Sequence, residues 1–236
     1  MNVAHPLVAL AVLSALALAA SGFGARFGMW DFRFGFQLLR WSLYAGLATA
    51  ALALVALAAP RLRAGRASSL VAAIVIGLGV AYLPWQWWKV ARALPPINDI
   101  TTDTANPPAF VAILPLRAGA PASADYPGAE TAAHQQRAYP DIRPVDLGVP
   151  PDAAFARALD AARSFGWTIS ATDAASGRIE ATATTPWFGF KDDVVIRVTP
   201  MAGGSRVDIR SHSRVGKGDL GTNAKRVREF IAKLTA

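Results

Sequence analysis

Three stretches of the chain carry no charged residue: 6–25, 41–60 and 67–88. At 1.5 Å rise per residue, about 20 residues of helix cross a hydrocarbon core roughly 30 Å thick. Ala, Leu and Val dominate each stretch, and the small residues among them allow close helix packing. The pattern predicts three membrane-spanning helices within residues 1–90. Trp30, Trp41 and Tyr44 fall at one end of the first hairpin, and Tyr82, Trp85, Trp87 and Trp88 at the exit of the third span. Three crossings place all of these on one face, at the headgroup layer that indole and phenol rings prefer. The segment 23–39, aromatic and basic, is too polar to span and is expected to lie along the interface or to form a connecting loop. The first apolar run has no Lys or Arg before it and is too long for a cleaved signal, so it is read as a retained span.

Beyond residue 90 the pattern changes. Residues 91–151 hold few periodic positions and many prolines, and are expected to be part linker and part wrapping for a domain at 152–236. Within them, 118–136 is rich in Ala, Gly, Ser and Pro and reads as a flexible excursion. From Asp152, placed as an N-cap, Phe155, Ala158, Leu159 and Ala162 line one helix face, and Gly166 stops it. Four strands are expected at 167–172, 178–185, 193–199 (ending at Pro200) and 206–215, then a helix at 220–234 with Leu220, Val227, Phe230, Ile231 and Leu234 on one stripe. The order α-β-β-β-β-α predicts an α+β fold: an antiparallel four-stranded sheet with two helices on one face. Period-two alternation sends Val207, Ile209, Ser211 and Ser213 one way, and Asp208, Arg210, His212 and Arg214 the other. The second face is expected to be solvated and laced with cross-strand charge pairs.

Composition sharpens this division. Residues 1–88 contain six Arg and one acid, Asp31, whereas the remainder holds eighteen basic and fifteen acidic residues. The chain has no cysteine, which excludes disulfides, thiolate-bound zinc and iron–sulfur clusters.

The segments INDITTD at 97–103, YPDIRP at 139–144, RIEATATTPWFGFKDDVVIRV at 178–198 and RSHSRVGKGDLGTNAKR at 210–226 resemble a bacterial family catalogued as domain of unknown function 1499. The likeness covers roughly residues 95–236. It implies that the INDITTD segment belongs to the domain and wraps it; it implies no activity. His212 and Gly218 depart from the family's usual residues, which weakens a catalytic role for His212.

Candidate chemistry is sparse. Asp192 and Asp193 are adjacent, but neighbours in a strand point to opposite faces and do not converge on a metal. Asn98, Asp99, Thr101, Thr102 and Asp103 lack the spacing of a calcium loop and suit backbone capping better. Ser211, His212 and Ser213 have nucleophile and base types, yet alternation separates His212 from both serines. The loop 215–221 is Gly-rich without being a Walker loop, and Asp219 in it suits an N-cap. Residues 205–236 hold eight Lys or Arg against three acids, and Arg210, Arg214, Lys217, Lys225, Arg226 and Arg228 are candidates for anionic headgroups.

The expectation is therefore a non-catalytic binding or scaffolding module of the bacterial envelope, without cofactor or metal and without nucleic acid as partner. Its candidate polar surface comprises Asp193, Arg197, Asp208, Arg210, Arg214, Lys217, Asp219, Asn223 and Arg226. The alternatives are an enzyme, or a lipid or lipoprotein carrier, acting on an envelope lipid or polymer. Besides the bilayer, anionic lipid headgroups or an envelope protein are the expected partners. The expected place is the inner membrane, multi-pass. There the basic turn 61–66, with no acid near it, favours a periplasmic C-terminal domain, while a bare count of Arg26, Arg33, Arg40, Lys89 and Arg92 favours the reverse.

Overall fold

The computed structural model describes residues 3–236. The chain divides into two compact units: Met1–Val90 with Pro186–Gly189, and Ala91–Thr185 with Phe190–Ala236.

The first unit is helical: α1 (Ala4–Arg26), α2 (Phe32–Ala58), the short α3 (Pro60–Arg63) and α4 (Ala67–Ala93). α1, α2 and α4 are long and apolar enough to cross a membrane, with mean hydropathies of 2.1, 1.8 and 1.9 over their best windows. The protein is a multi-pass membrane protein. Residues 23–39 differ from the expected interfacial loop: α1 runs to Arg26, α2 starts at Phe32, and only a tight turn separates them. Asp31 makes this possible as N-cap of α2, accepting from the Arg33 amide at 2.8 Å.

Small residues face inward. Ala4, Ala11, Ser14 and Ser21 of α1, and Gly35, Ser42, Thr49 and Ala56 of α2, are buried, while Leu13, Leu16 and Val55 point outward. The four α2 positions recur every seven residues, two helical turns, and so form one stripe. The hydroxyls of Ser14, Ser21, Ser42 and Thr49 donate to carbonyls three or four residues earlier, so none requires water. Between α2 and α4 the backbones close on Gly46 and Gly77: a Cβ on Gly77 would meet the Gly46 carbonyl oxygen. Within the same unit, Trp187 donates its indole N–H to the Ala19 carbonyl at 3.0 Å and fills the space that Gly22 leaves.

The second unit is an α+β domain. Its elements are β1 (Asp99–Thr101), a 3₁₀ turn (Leu114–Arg117), α5 (Ala129–Ala138), β2 (Val145–Leu147), α6 (Pro151–Ser164), β3 (Thr168–Asp173), β4 (Arg178–Thr184), β5 (Lys191–Met201), β6 (Gly204–Ser213) and α7 (Thr222–Thr235). The sheet is antiparallel in the order β1-β6-β5-β4-β3, and β2 also pairs with β6. β1 and β2 extend the expected four strands to six along one edge, with Asp99 opposite His212 and Val145 opposite Val207. At three residues each, they are too short for alternation to reveal.

The apolar face follows the pattern. Ile179, Ala181, Val194, Ile196, Val207 and Ile209 pack against Ala154, Ala158 and Ala162 of α6 and Val227, Phe230 and Leu234 of α7. Three local expectations change. Pro150 rather than Asp152 precedes α6, with Pro151 in its first turn, where a missing N–H costs nothing. β5 runs through Pro200 to Met201 before turning. The region 118–136 is not a flexible excursion throughout, since α5 occupies 129–138. α5 is fixed by Gln135, whose buried amide accepts from the Thr101 N–H at 3.0 Å and donates to its carbonyl at 2.6 Å, continuing the ladder beyond β1.

Gly77→Val should force the α2–α4 approach apart and cost roughly 1–3 kcal/mol, the usual range for overpacking. Gly79→Val, at a position with open space around it, should leave the thermal midpoint of the detergent-solubilised protein nearly unchanged. Equal midpoints for the two variants would contradict this packing.

Candidate functional site

The polar face of the sheet is buried rather than solvated, because residues 103–128 fold across it. Asp99, Glu180 and Asp193 are fully buried, and Asp208, Arg210 and His212 are nearly so. A carboxylate removed from water needs cations or amide donors in its place. Here every one has them. Asp99 receives both forks of Arg210, at 2.9 and 2.7 Å. Asp193 receives two bonds from Arg214 at 2.8 Å, one from Arg117 at 2.8 Å and one from the Thr182 hydroxyl. Asp208 and Asp103 share Arg197. Glu180 accepts from the consecutive amides of Val111, Ala112 and Ile113 at about 3 Å and pairs with Arg178. Five carboxylates thus meet five guanidiniums.

The cover is built from its own carbonyls and one arginine. Arg117, on the 3₁₀ turn, points inward to Asp193 and also donates to the carbonyls of Ala122 and Ser123. Arg210 donates to the carbonyls of Pro108 and Ala124 and lies between the rings of Phe110 and Tyr126, 4.8 and 5.5 Å from their centroids. Arg214 donates to the Leu116 carbonyl. Two buried atoms in this layer lack a protein partner: the Tyr126 hydroxyl and Arg117 Nε.

The electrostatics follow from burial. His212 lies among Arg117, Arg210 and Asp99; burial first, then the two guanidinium charges, push its pKa down to about 3. Burial pushes Asp99 up despite Arg210. Burial opposes ionisation of Asp193 too, but Arg214, Thr182 and Arg117 together hold it below the usual carboxylate range. Tyr126 is pushed up to about 12 by burial and by the neighbouring Asp99 charge.

The candidate polar residues fall into three places. Asp193, Arg197, Asp208, Arg210 and Arg214 are in the covered layer. Asn223 and Arg226 lie on the opposite, helix-side face: Arg226 pairs with Asp192 at 2.7 Å, and Asn223 bonds Ser211, Ser213 and the Asn98 carbonyl. Asp192 and Asp193 therefore serve separate networks. Asp219 caps α7 through the amides of Gly221 and Asn223, and Lys217 stands exposed in the preceding loop. Asp99, Asp103, Arg117, Tyr126, Arg178 and Glu180 belong to the layer without being among the candidate polar residues read from the sequence. Among the described residues no group of three or more His, Cys, Asp or Glu is placed to hold a metal ion. A separate groove of about 360 Å³ lies beside α5, lined by Thr102, Thr104, Gln135, Gln136, Tyr139 and Arg143, among others.

A family model described as "Protein of unknown function (DUF1499)" matches residues 99–234, from the first residue of β1 almost to the end of α7. No curated protein matches.

A histidine neutral in the fold but protonated when unfolded contributes stability that is present above pH 6.5 and is lost as pH falls toward 3. Between pH 7 and pH 5, His212 should therefore lower unfolding stability by about 2 kcal/mol. Asp99 and Asp219, both raised by burial, act with the opposite sign, so the comparison is differential. His212→Gln should flatten the decline in thermal midpoint across this interval. Parallel curves for the two proteins would show that the imidazole is not held neutral.

Proposed function

Because the chain belongs to the DUF1499 family, whose function is unknown, we propose its role from its own geometry. It is a membrane-anchored, non-catalytic binding or scaffolding module of the bacterial inner membrane, with its domain in the periplasm. One observation carries this reading: the charged groups that an enzyme on the sheet face would use, Asp193, Arg210 and Arg214, are saturated by one another and covered by residues 103–128. They are engaged with one another, and of the three only Arg214 keeps part of its side chain in solvent. The space between sheet and helices, where a carrier would hold a lipid, is occupied by the apolar core.

What remains open to partners is the surface. Of the basic cluster in the last 32 residues, Arg210 and Arg226 are buried in ion pairs, and Arg228 grips Asp141 at 2.6 and 2.8 Å. Lys217, Lys225 and Lys233 are exposed and suited to anionic headgroups or to an acidic envelope protein. The groove beside α5, with amide and hydroxyl groups and Arg143 at its wall, offers a place for a polar or anionic segment of such a protein.

The proposed side of the membrane is supported by how several of the basic residues are engaged. Arg33 pairs with Asp31, Arg26 donates to the Pro186 carbonyl and Lys89 lies over the Trp85 ring. The turn carrying Arg61, Arg63 and Arg66 has no acid in its sequence neighbourhood, which favours it as the cytoplasmic loop.

Alkaline phosphatase fused after Ala236 should be active, and a cytoplasm-only fluorescent reporter at the same point should be dark. The reverse pair of results would move the domain to the cytoplasm. Turnover of an envelope lipid or polymer that disappears in a folded Asp193→Asn variant would overturn the non-catalytic reading.

A further inference from the structure

Among the described residues, the domain exposes five large apolar side chains: Val111, Leu114, Leu116, Met201 and Leu220. Met201 sits at the β5–β6 turn. Leu116 and Leu220, 58% and 41% exposed, lie at the opposite end of the sheet. Leu116 is on the 3₁₀ turn that Arg117 ties to Asp193, near the start of β5, and its carbonyl is held by Arg214, just past the end of β6. Leu114 is exposed on the same turn, and Val111 is exposed farther along the cover.

Leu220 belongs to the loop between β6 and α7. Asn98 donates to the Gly216 carbonyl of this loop, and Gly218 and Gly221 lie beside Pro96 and Leu94. Leu220 is also the one non-glycine residue among those described with positive φ, +54°. A leucine in the left-handed region is disfavoured, and here its side chain is still 41% exposed. The loop holds an apolar group outward at a conformational cost.

The same end of the domain is where the chain arrives from the membrane. α4 ends at Ala93, and Leu94 already packs against the domain core. From Trp88, the end of the uncharged stretch, to Ala93 is five residues, or roughly 8 Å of helix. Lys191 and Lys217 are exposed at this end, and Asp219 is turned inward as the cap of α7.

We propose that this end of the domain rests in the interfacial layer of the bilayer that anchors it. Leu114, Leu116 and Leu220 enter the boundary between headgroups and acyl chains, and Lys191 and Lys217 meet anionic headgroups. Apolar tips flanked by lysines are the chemistry that an anionic lipid surface recognises. The inference rests on the membrane anchor alone, and holds whichever side the domain occupies and whatever it binds.

The absence of cysteine allows single spin labels in the full chain. Leu116→Cys, Leu220→Cys and Met201→Cys would be labelled and reconstituted in nanodiscs of mixed neutral and anionic phospholipid. Labels at 116 and 220 should show a several-fold higher ratio of oxygen to nickel-chelate accessibility than the label at 201. Lys191→Glu with Lys217→Glu should lower that ratio in anionic nanodiscs. Leu220→Asn, which suits a positive φ, should retain thermal stability while lowering the ratio at 116. Labels at 116 and 220 as nickel-accessible as the label at 201 would overturn the proposal. So would dipolar broadening between labels on two copies, which would assign the patch to self-association.

Discussion

A buried carboxylate is tolerable only when cations and amide donors replace the water it has lost, and the DUF1499 domain is organised around this requirement. One face of the sheet is an ordinary apolar core. The other carries Asp99, Glu180, Asp193 and Asp208, each at 2% exposure or less. Their partners come from far along the chain: Asp99 from Arg210, Asp193 from Arg117 as well as Arg214, Glu180 from the amides of residues 111–113. The covering segment is therefore not an appendage. Without it Glu180 would lose three donors and Asp193 would lose Arg117.

Such a layer is a weak source of net stability, since desolvation offsets most of the attraction, but breaking it is costly. Removing one partner of a buried pair typically costs about 3–5 kcal/mol. The asymmetry favours specificity. Arg210 is matched in shape to Asp99 by a two-toothed bond and sits between two aromatic rings, so a shifted β1–β6 register would leave a charge alone on each side. The short β1, only three residues, is in this way specified more by Asp99 than by its own ladder.

Much of this was legible in the sequence, and the reason for the rest is physical. Uncharged runs reveal spanning helices because lipid excludes charge along their whole length, and alternation assigns Ile209 and Arg210 to opposite faces because the strand period is two. Neither signal says what covers the polar face. Asp208, Arg210, His212 and Arg214 look the same in a solvated sheet as beneath a lid, since burial of a charge is decided by residues a hundred positions away. Asp99 lay in a conspicuous oxygen-rich cluster and Arg117 was a lone cation in an apolar stretch, FVAILPLRAGA at 110–120. Those two anomalies were the available hints, and only the fold joins them through Asp193 and Arg210.

Sealing the charged face also moves the chemistry of the domain. A face whose five carboxylates and five guanidiniums satisfy each other has little field left to offer a ligand, and His212, held neutral among them, adds none. On the proposed reading, recognition falls to the margins of the sheet: the groove beside α5, with Arg143, and the end bearing Leu116, Lys191, Lys217 and Leu220. Leu220, with its left-handed backbone, lies in the turn by which Asp219 caps α7, and that turn leaves the leucine 41% exposed. For a domain that follows its last membrane helix in the chain within a few residues, the partner proposed for this exposed end is the membrane surface.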